Sequence, residues 1–437
     1  MGGVRHILVL WAVTLTLCLA APAPARADAP EEVLTTWVRL VLELVRHTPT
    51  QSPPVAARAF GYIGVTAYES VAGGSGSMAS LAGQLNGLTP LPARDPGAAY
   101  DEALVLHAAM AAAAQSHFAN TGPTGQRAMA AMESRLGQRL AEALPADVVA
   151  RSTAMGRAVA AHVLAWSQDD GGAVVANMGF PESFALTPGP GHWVPTSMIR
   201  QQQVPLLPGW GNNRPFAMPH GASCPLPAPP DYSEDPGSAF HAEAMEVVTV
   251  TRTLTDEQRL IARFWSDDPM LSPTPPGHWI SIATEILIRD GADIEQRVDV
   301  LARLGIALAD AFIGCWHSKF EHDLLRPVTY IRRVIDPAWE PLLITPPFPE
   351  YPSGHSTQSG AAASVLTDLF GPGFAFVDAT HADDGMAPRT YPDFWAAAEE
   401  AGLSRLYGGI HFRAAIERGL DQGRCIGAWV NALKTRR

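Results

Sequence analysis

The sequence predicts an all-α protein, long enough for either one extended helical domain or two fused bundles. Apolar residues recur at three- and four-residue spacing in segments rich in alanine, leucine and arginine, the period of an amphipathic helix. Strand-like alternation is scarce. A stretch dense in proline and glycine, 172–237, separates the periodic segments into two groups.

In chain order, residues 1–27 read as a secretory signal. Arg5 and His6 precede an apolar run from Ile7 to Ala21, and Ala25-Arg26-Ala27 is a small-x-small cleavage site before Asp28. Cys18 lacks the small residues that precede a lipid-modified cysteine. Elsewhere no uninterrupted apolar stretch reaches the roughly 18 residues of a membrane span, so no integral membrane association is expected. Loss of Arg5 and Arg26 leaves 29 basic against 43 acidic residues, a net charge of −14. Such an acidic chain without a basic run argues against nucleic acid as a partner. Cys224, Cys315 and Cys425 remain, an odd number without C-x-x-C spacing, so one disulfide is allowed but neither a disulfide framework nor a thiolate metal site is indicated.

The first group of helices, within an N-terminal bundle 28–171, is expected near 30–47, 53–72, 96–119, 122–144 and 146–169. Residues 172–237 contain Thr187-Pro188-Gly189-Pro190-Gly191 and Pro225-Leu226-Pro227-Ala228-Pro229-Pro230, which cannot form regular helix. They also hold His192, Trp193, Trp210 and Phe216, which a solvated linker does not need, so an ordered wrap over the helices is expected. The C-terminal bundle, 238–437, has helical periodicity near 238–266, 276–289, 293–324, 356–370, 392–407 and 411–434.

Three motifs in this last part carry chemistry. Lys319 and Arg326 are seven apart and should project from one side of a helix that Pro327 ends. Arginine supplies a planar fork for two oxygens and lysine a mobile point charge. Pro352-Ser353-Gly354-His355 follows a proline-rich turn and precedes an alanine-rich helix: Ser353 suits an N-cap, Gly354 lets backbone approach a ligand, and first-turn amides bind anions. His355 would then act as acid or base. Ser404-Arg405 and His411 flank Gly408-Gly409, which should break one helix and start another, and Gly419, Gly423 and Gly427 form a smooth stripe that would hold the last helix close to a neighbour. His317 and His322 should point to other faces and serve structure, whereas His278 and the aromatic residues of 172–237 could line an entrance.

With Ala56-Ala57-Arg58-Ala59-Phe60 through Tyr68-Glu69, Gly191-His192-Trp193-Val194-Pro195, Pro208-Gly209-Trp210-Gly211, Phe264-Trp265 and Pro275-Pro276-Gly277-His278-Trp279, the motif set resembles the phosphatidic-acid-phosphatase type 2 superfamily, and within it the secreted bacterial vanadium-dependent haloperoxidases. The resemblance implies an all-helical fold with the site in the second bundle. It implies that Lys319, Arg326 and Arg405 bind the equatorial oxygens of vanadate or phosphate, with Ser353 and the Gly354 amide completing the cage. His411 would be the axial ligand to vanadium, or the nucleophile of a phosphatase, and His355 the acid-base residue. Lys319 would polarise bound peroxide for attack by halide. Trp316 and Phe348 resemble the pocket residues of chloroperoxidase-like members.

One position departs from the pattern. The superfamily usually has aspartate four residues after the axial histidine, and Ala415 stands there, with Glu417 or Asp421 as possible substitutes. Three functions follow from the resemblance: a haloperoxidase using vanadate, hydrogen peroxide and halide; a secreted acid phosphatase needing no cofactor and cleaving a phosphate ester through a phosphohistidine; or a non-catalytic oxyanion-binding protein. Ala415 weakens the phosphatase most, because phosphoryl transfer needs a strong nucleophile.

Overall fold

The computed structural model describes residues 29–178, 180, 183–197 and 203–437. The signal at 1–27 lies outside the described residues. Among those described, the fold is helical apart from one two-stranded antiparallel sheet, β1 (Phe376–Asp378) and β2 (Arg389–Tyr391).

The first half comprises α1 (Pro30–Arg46), α2 (Pro53–Ala72), α3 (Glu102–His117), α4 (Pro123–Ala141) and α5 (Ala146–Ser167). On α1 the buried residues Val33, Leu34, Trp37, Val38, Val41, Leu44 and Val45 make one stripe, as the spacing predicts. Helix α2 is instead buried almost all round, which is why it shows little amphipathic pattern. The helix expected from residue 96 begins only at Glu102, because the Asp101 side chain accepts the Leu104 amide and caps it there.

The second half comprises α6 (Ala239–Arg252), α7 (Asp256–Phe264), α8 (Thr274–Arg289), α9 (Ile294–His322), α10 (Pro327–Val334), α11 (Gly354–Phe370), α12 (Phe394–Tyr407) and α13 (Arg413–Asn431). The single helix expected over 238–266 is two, since Thr255 and Gln258 form a capping box that starts α7 afresh. The 29-residue α9 runs against α2 so closely that a Cβ on Gly305 would sit 2.6 Å from the Phe60 carbonyl oxygen. The largest apolar core therefore runs from Val33 to Val430 and is shared by both halves.

The described part of 172–237 packs onto that core. Trp193, Trp210 and Phe216 are buried, the Asp310 carboxylate of α9 accepts the amides of Phe216, Ala217 and Met218, and a disulfide joins Cys224 to Cys425 of α13. Cys315 is free and buried. The Leu206 amide donates to the Pro347 carbonyl at 2.8 Å, so the wrap also holds the proline-rich turn in front of α11.

Two elements set the site's geometry. Asp323 adopts a left-handed φ of +43° and ends α9, after which Arg326 caps α10 with Pro327 at its first position. Lys319 and Arg326 therefore do not share a helix, contrary to the seven-residue spacing argument. The Gly419–Gly423–Gly427 stripe of α13 packs on α11 as expected: a Cβ on Gly423 would lie 2.2 Å from the Thr357 carbonyl oxygen.

Candidate active site

The start of α11, the end of α9 and the α12–α13 connection converge on one cavity of about 500 Å³. Its lining includes Trp316, Phe348, Gly354, His355, Arg405 and His411. The Trp316 and Phe348 rings lie 4.9 Å apart and form an aromatic wall, and the Trp316 indole donates to the Leu206 carbonyl at 3.0 Å. The aromatic residues of the wrap contribute little to an entrance: Trp193, Trp210 and Phe216 are core residues, and among the described aromatic residues of the wrap only Phe180 lines the cavity.

Three cations are buried beside it. Arg326 donates through Nε to the Phe348 carbonyl (2.7 Å) and through Nη1 to the Ile410 carbonyl (3.0 Å), while its Nη2 is buried without a partner. Arg405 donates from Nη2 to the Trp265 carbonyl at 2.7 Å and from Nε to Ser404 Oγ at 2.9 Å. Lys319 donates to the carbonyls of Pro349, Glu350 and Pro352. It thereby stiffens the turn before Ser353, and all three of its protons are engaged there. Burial pushes Lys319 down to about 7 and both arginines down to about 10. A cluster of desolvated cations of this kind gains free energy from an anion in its midst.

Ser353 caps α11 as expected, its Oγ accepting the Ser356 amide at 3.3 Å. His355 Nε2 is buried without a partner, and burial, with Arg405 adding to it, holds this imidazole well below its ordinary pKa. His411 is likewise neutral, pushed well below its ordinary value by burial and then by Arg326, Lys319 and Arg405. His317 and His322 stay outside the cavity: His317 faces Glu321 and His322 packs edge-on against Tyr351.

Ala415 does not leave His411 without an acid. Glu350 approaches from the proline-rich turn, and its Oε1 accepts both His411 Nδ1–H at 2.8 Å and the Phe412 amide at 2.9 Å. The proton on Nδ1 leaves Nε2 as an acceptor, 3.1 Å from Arg326 Nη1. Ala415 is fully buried behind this pair, its carbonyl accepting the Ser353 amide at 3.0 Å. The suggested substitutes are elsewhere, Glu417 beside Arg413 and Asp421 beside Arg418, both half exposed. Glu350 is the functional residue that sequence reasoning missed. Its only signal was a lone acid inside an apolar, proline-rich turn.

A helical protein with three buried cations, a capped helix start and two neutral imidazoles around one cavity is an oxyanion-handling enzyme of the phosphatase–haloperoxidase kind. The comparisons with known proteins narrow that class. Residues 299–436 match the model of the VCPO second helical-bundle domain. A crystal structure described as the first bacterial vanadium-dependent iodoperoxidase superposes with a TM-score of 0.84 at 37% identity, covering 93% of this chain and 97% of that one. A bacterial vanadium-dependent chloroperoxidase in its holo form shares the fold, with a TM-score of 0.65, 15% identity and coverage of 94% and 93%. The vanadium chloroperoxidase of Curvularia inaequalis is 30% identical over 128 residues, 24% of this chain and only 21% of that relative's length. The chain belongs to the vanadium-dependent haloperoxidases, a family of oxidoreductases.

The residues present fit vanadate. Arg326 Nη2 and His355 Nε2 are buried polar atoms without protein partners, and His411 Nε2 is an imidazole acceptor fixed by Glu350 on the other ring nitrogen, the arrangement that metal-ligating histidines use.

Proposed function

We propose that this protein oxidises halide with hydrogen peroxide at a vanadate held by Arg326, Arg405, Lys319, Ser353, the Gly354 amide and His411. The observation that carries the reading is the Glu350–His411 pair facing three buried cations. Vanadate, when bound, supplies the Lewis acidity that makes peroxide oxygen electrophilic toward halide. The protein's own residues do the rest. Arg326 and Arg405 neutralise the oxyanion and fix its orientation, since each guanidinium is already anchored by backbone carbonyls and needs no reorganisation. Glu350 holds the His411 tautomer that presents Nε2.

His355, neutral and with Nε2 unpartnered, accepts a proton from incoming peroxide and returns it to the departing oxygen. Lys319 trades one backbone carbonyl for the anion and increases its polarisation. Trp316 and Phe348 exclude water from the face where halide enters. Iodide is the halide this reading favours, because the 37% identical relative is described as an iodoperoxidase.

Export is part of the same proposal. The signal-like residues 1–27 support it, as does the Cys224–Cys425 disulfide, a bond that persists in oxidising compartments. Among the described residues no helix is long and apolar enough to cross a membrane.

The test is vanadate titration of phosphate-free protein, with iodide, bromide and chloride oxidation assayed beside hydrolysis of a chromogenic phosphate ester. Halide oxidation that requires vanadate and disappears in His411→Ala is the expected result. Ester hydrolysis inhibited by vanadate, without halide oxidation, would make the site a phosphatase.

A further inference from the structure

A second histidine–carboxylate assembly reaches the cavity wall through Asp267. His278 of α8 is wholly buried, with Nδ1 2.9 Å from Asp267 Oδ2 and Nε2 2.7 Å from Asp378 Oδ2. Far from lining an entrance, it is a core residue. His381 joins the same carboxylate, its Nε2 3.1 Å from Asp267 Oδ1 and its Nδ1 3.0 Å from Asp384 Oδ2, and Arg46 closes the chain on Asp384. With both rings doubly protonated, three carboxylates meet two imidazoliums and one guanidinium, a set without net charge in which every imidazole nitrogen faces a carboxylate oxygen.

The set grips a turn that touches the oxyanion site. Asp267 adopts φ +49°, a left-handed geometry that an aspartate tolerates, and His278 and His381 hold its carboxylate from two sides. Two residues earlier, the Trp265 carbonyl receives Arg405 Nη2 at 2.7 Å, and the Trp265 backbone also hydrogen-bonds His355. One peptide group thus sets both the third cation of the cage and the acid-base imidazole. The Trp265 indole stacks on His278 with centroids 4.4 Å apart and planes 18° apart, and donates to Glu400 at 3.0 Å.

We propose that His278, clamped between Asp267 and Asp378, is a positioning residue for the oxyanion site, acting through the Trp265 carbonyl on Arg405 and His355. The inference rests on the anion-binding role given to Arg405 above. It does not depend on whether the reaction is halide oxidation or ester hydrolysis.

The competing occupant is a divalent cation. Donor atoms of Asp267, His278 and His381 lie within 4.8 Å of one another, and such an ion would replace the two ring protons between them with no change in net charge. The experiment uses the full chain and two probes, inorganic phosphate and orthovanadate, each titrated calorimetrically into the ligand-free protein. His278→Gln should weaken both about 10-fold or more, the loss typical of outer-shell partners.

Val163→Ala, a core truncation in α5 of the first half, is the control for general destabilisation and should leave both affinities unchanged. Should His278→Gln fail to fold, Asp378→Asn, which keeps an acceptor for Nε2–H and removes one charge, decides by a smaller loss in the same direction. Phosphate affinity unchanged in the folded variants overturns the proposal. So does one equivalent of divalent metal in the purified protein whose chelation reproduces the loss. If Arg405→Ala leaves phosphate binding intact, the anion-site reading fails instead, and the two failures are distinguishable.

Discussion

Two buried histidines are held in opposite charge states. His411 touches one acid, Glu350, which burial itself pushes up to about 8, and faces Arg326, Lys319 and Arg405, so burial and the cations keep it neutral. His278 is as deeply buried, yet it touches two carboxylates, and their charges outweigh burial and raise it to about 10. Neighbours, and not burial itself, decide between a ligand with a free lone pair and a fixed cation. The first arrangement is suited to chemistry and the second to holding a turn in place.

The largest expected effect comes from deleting the neutral imidazole. His411→Ala should reduce vanadate-dependent halide oxidation about 1,000-fold or more, because it removes an interaction with the reacting centre itself. Steady-state assays at saturating peroxide check this. Removing the orienting acid instead, Glu350→Gln, should weaken vanadate binding by about 10- to 100-fold while leaving the fold intact.

Installing the family's usual acid should not help. Ala415→Asp places a second carboxylate in a fully buried position beside Glu350, and unfolding is expected about 3 kcal/mol or more easier in thermal or denaturant melts. A rise in vanadate affinity would break the comparison, because it would mean that Glu350 does not fill the role.

A smaller effect tests the charge state of His278. Its folded pKa lies above its unfolded value, so its contribution is fully present below about pH 6.5 and is lost as pH rises toward about 10. The facing groups are Asp267, Asp378 and, through Asp267, His381. Asp267 and Asp378 are held below the carboxylate range and stay ionised throughout that window. The stability difference between wild type and His278→Gln should therefore narrow from pH 6.5 to pH 10. Smallest is a ligand effect: vanadate at 100 times its dissociation constant should stabilise the wild type by about 2.7 kcal/mol, read as a shift in melting temperature.

Much of this was legible in the sequence. Helical periodicity located most of the helices, and the three short motifs that hold Lys319, Arg326, Ser353, Gly354, His355, Arg405 and His411 each sit at a helix end, where local signals are strong. What was not legible depends on tertiary approach. Glu350 meets His411 across 61 positions, and His278 meets Asp378 across 100. Neither pairing leaves a local pattern. The break between Lys319 and Arg326 was hidden for a different reason: it turns on Asp323 entering a left-handed conformation that its side chain tolerates but does not announce.

The most direct measurement is the vanadate dissociation constant of Glu350→Gln beside that of wild type, by calorimetry on phosphate-free protein. A weakening of about 10- to 100-fold, with iodide oxidation recovered at high vanadate, is the predicted result. Wild-type affinity in the folded variant would contradict the claim that Glu350 takes over the orienting role absent at Ala415.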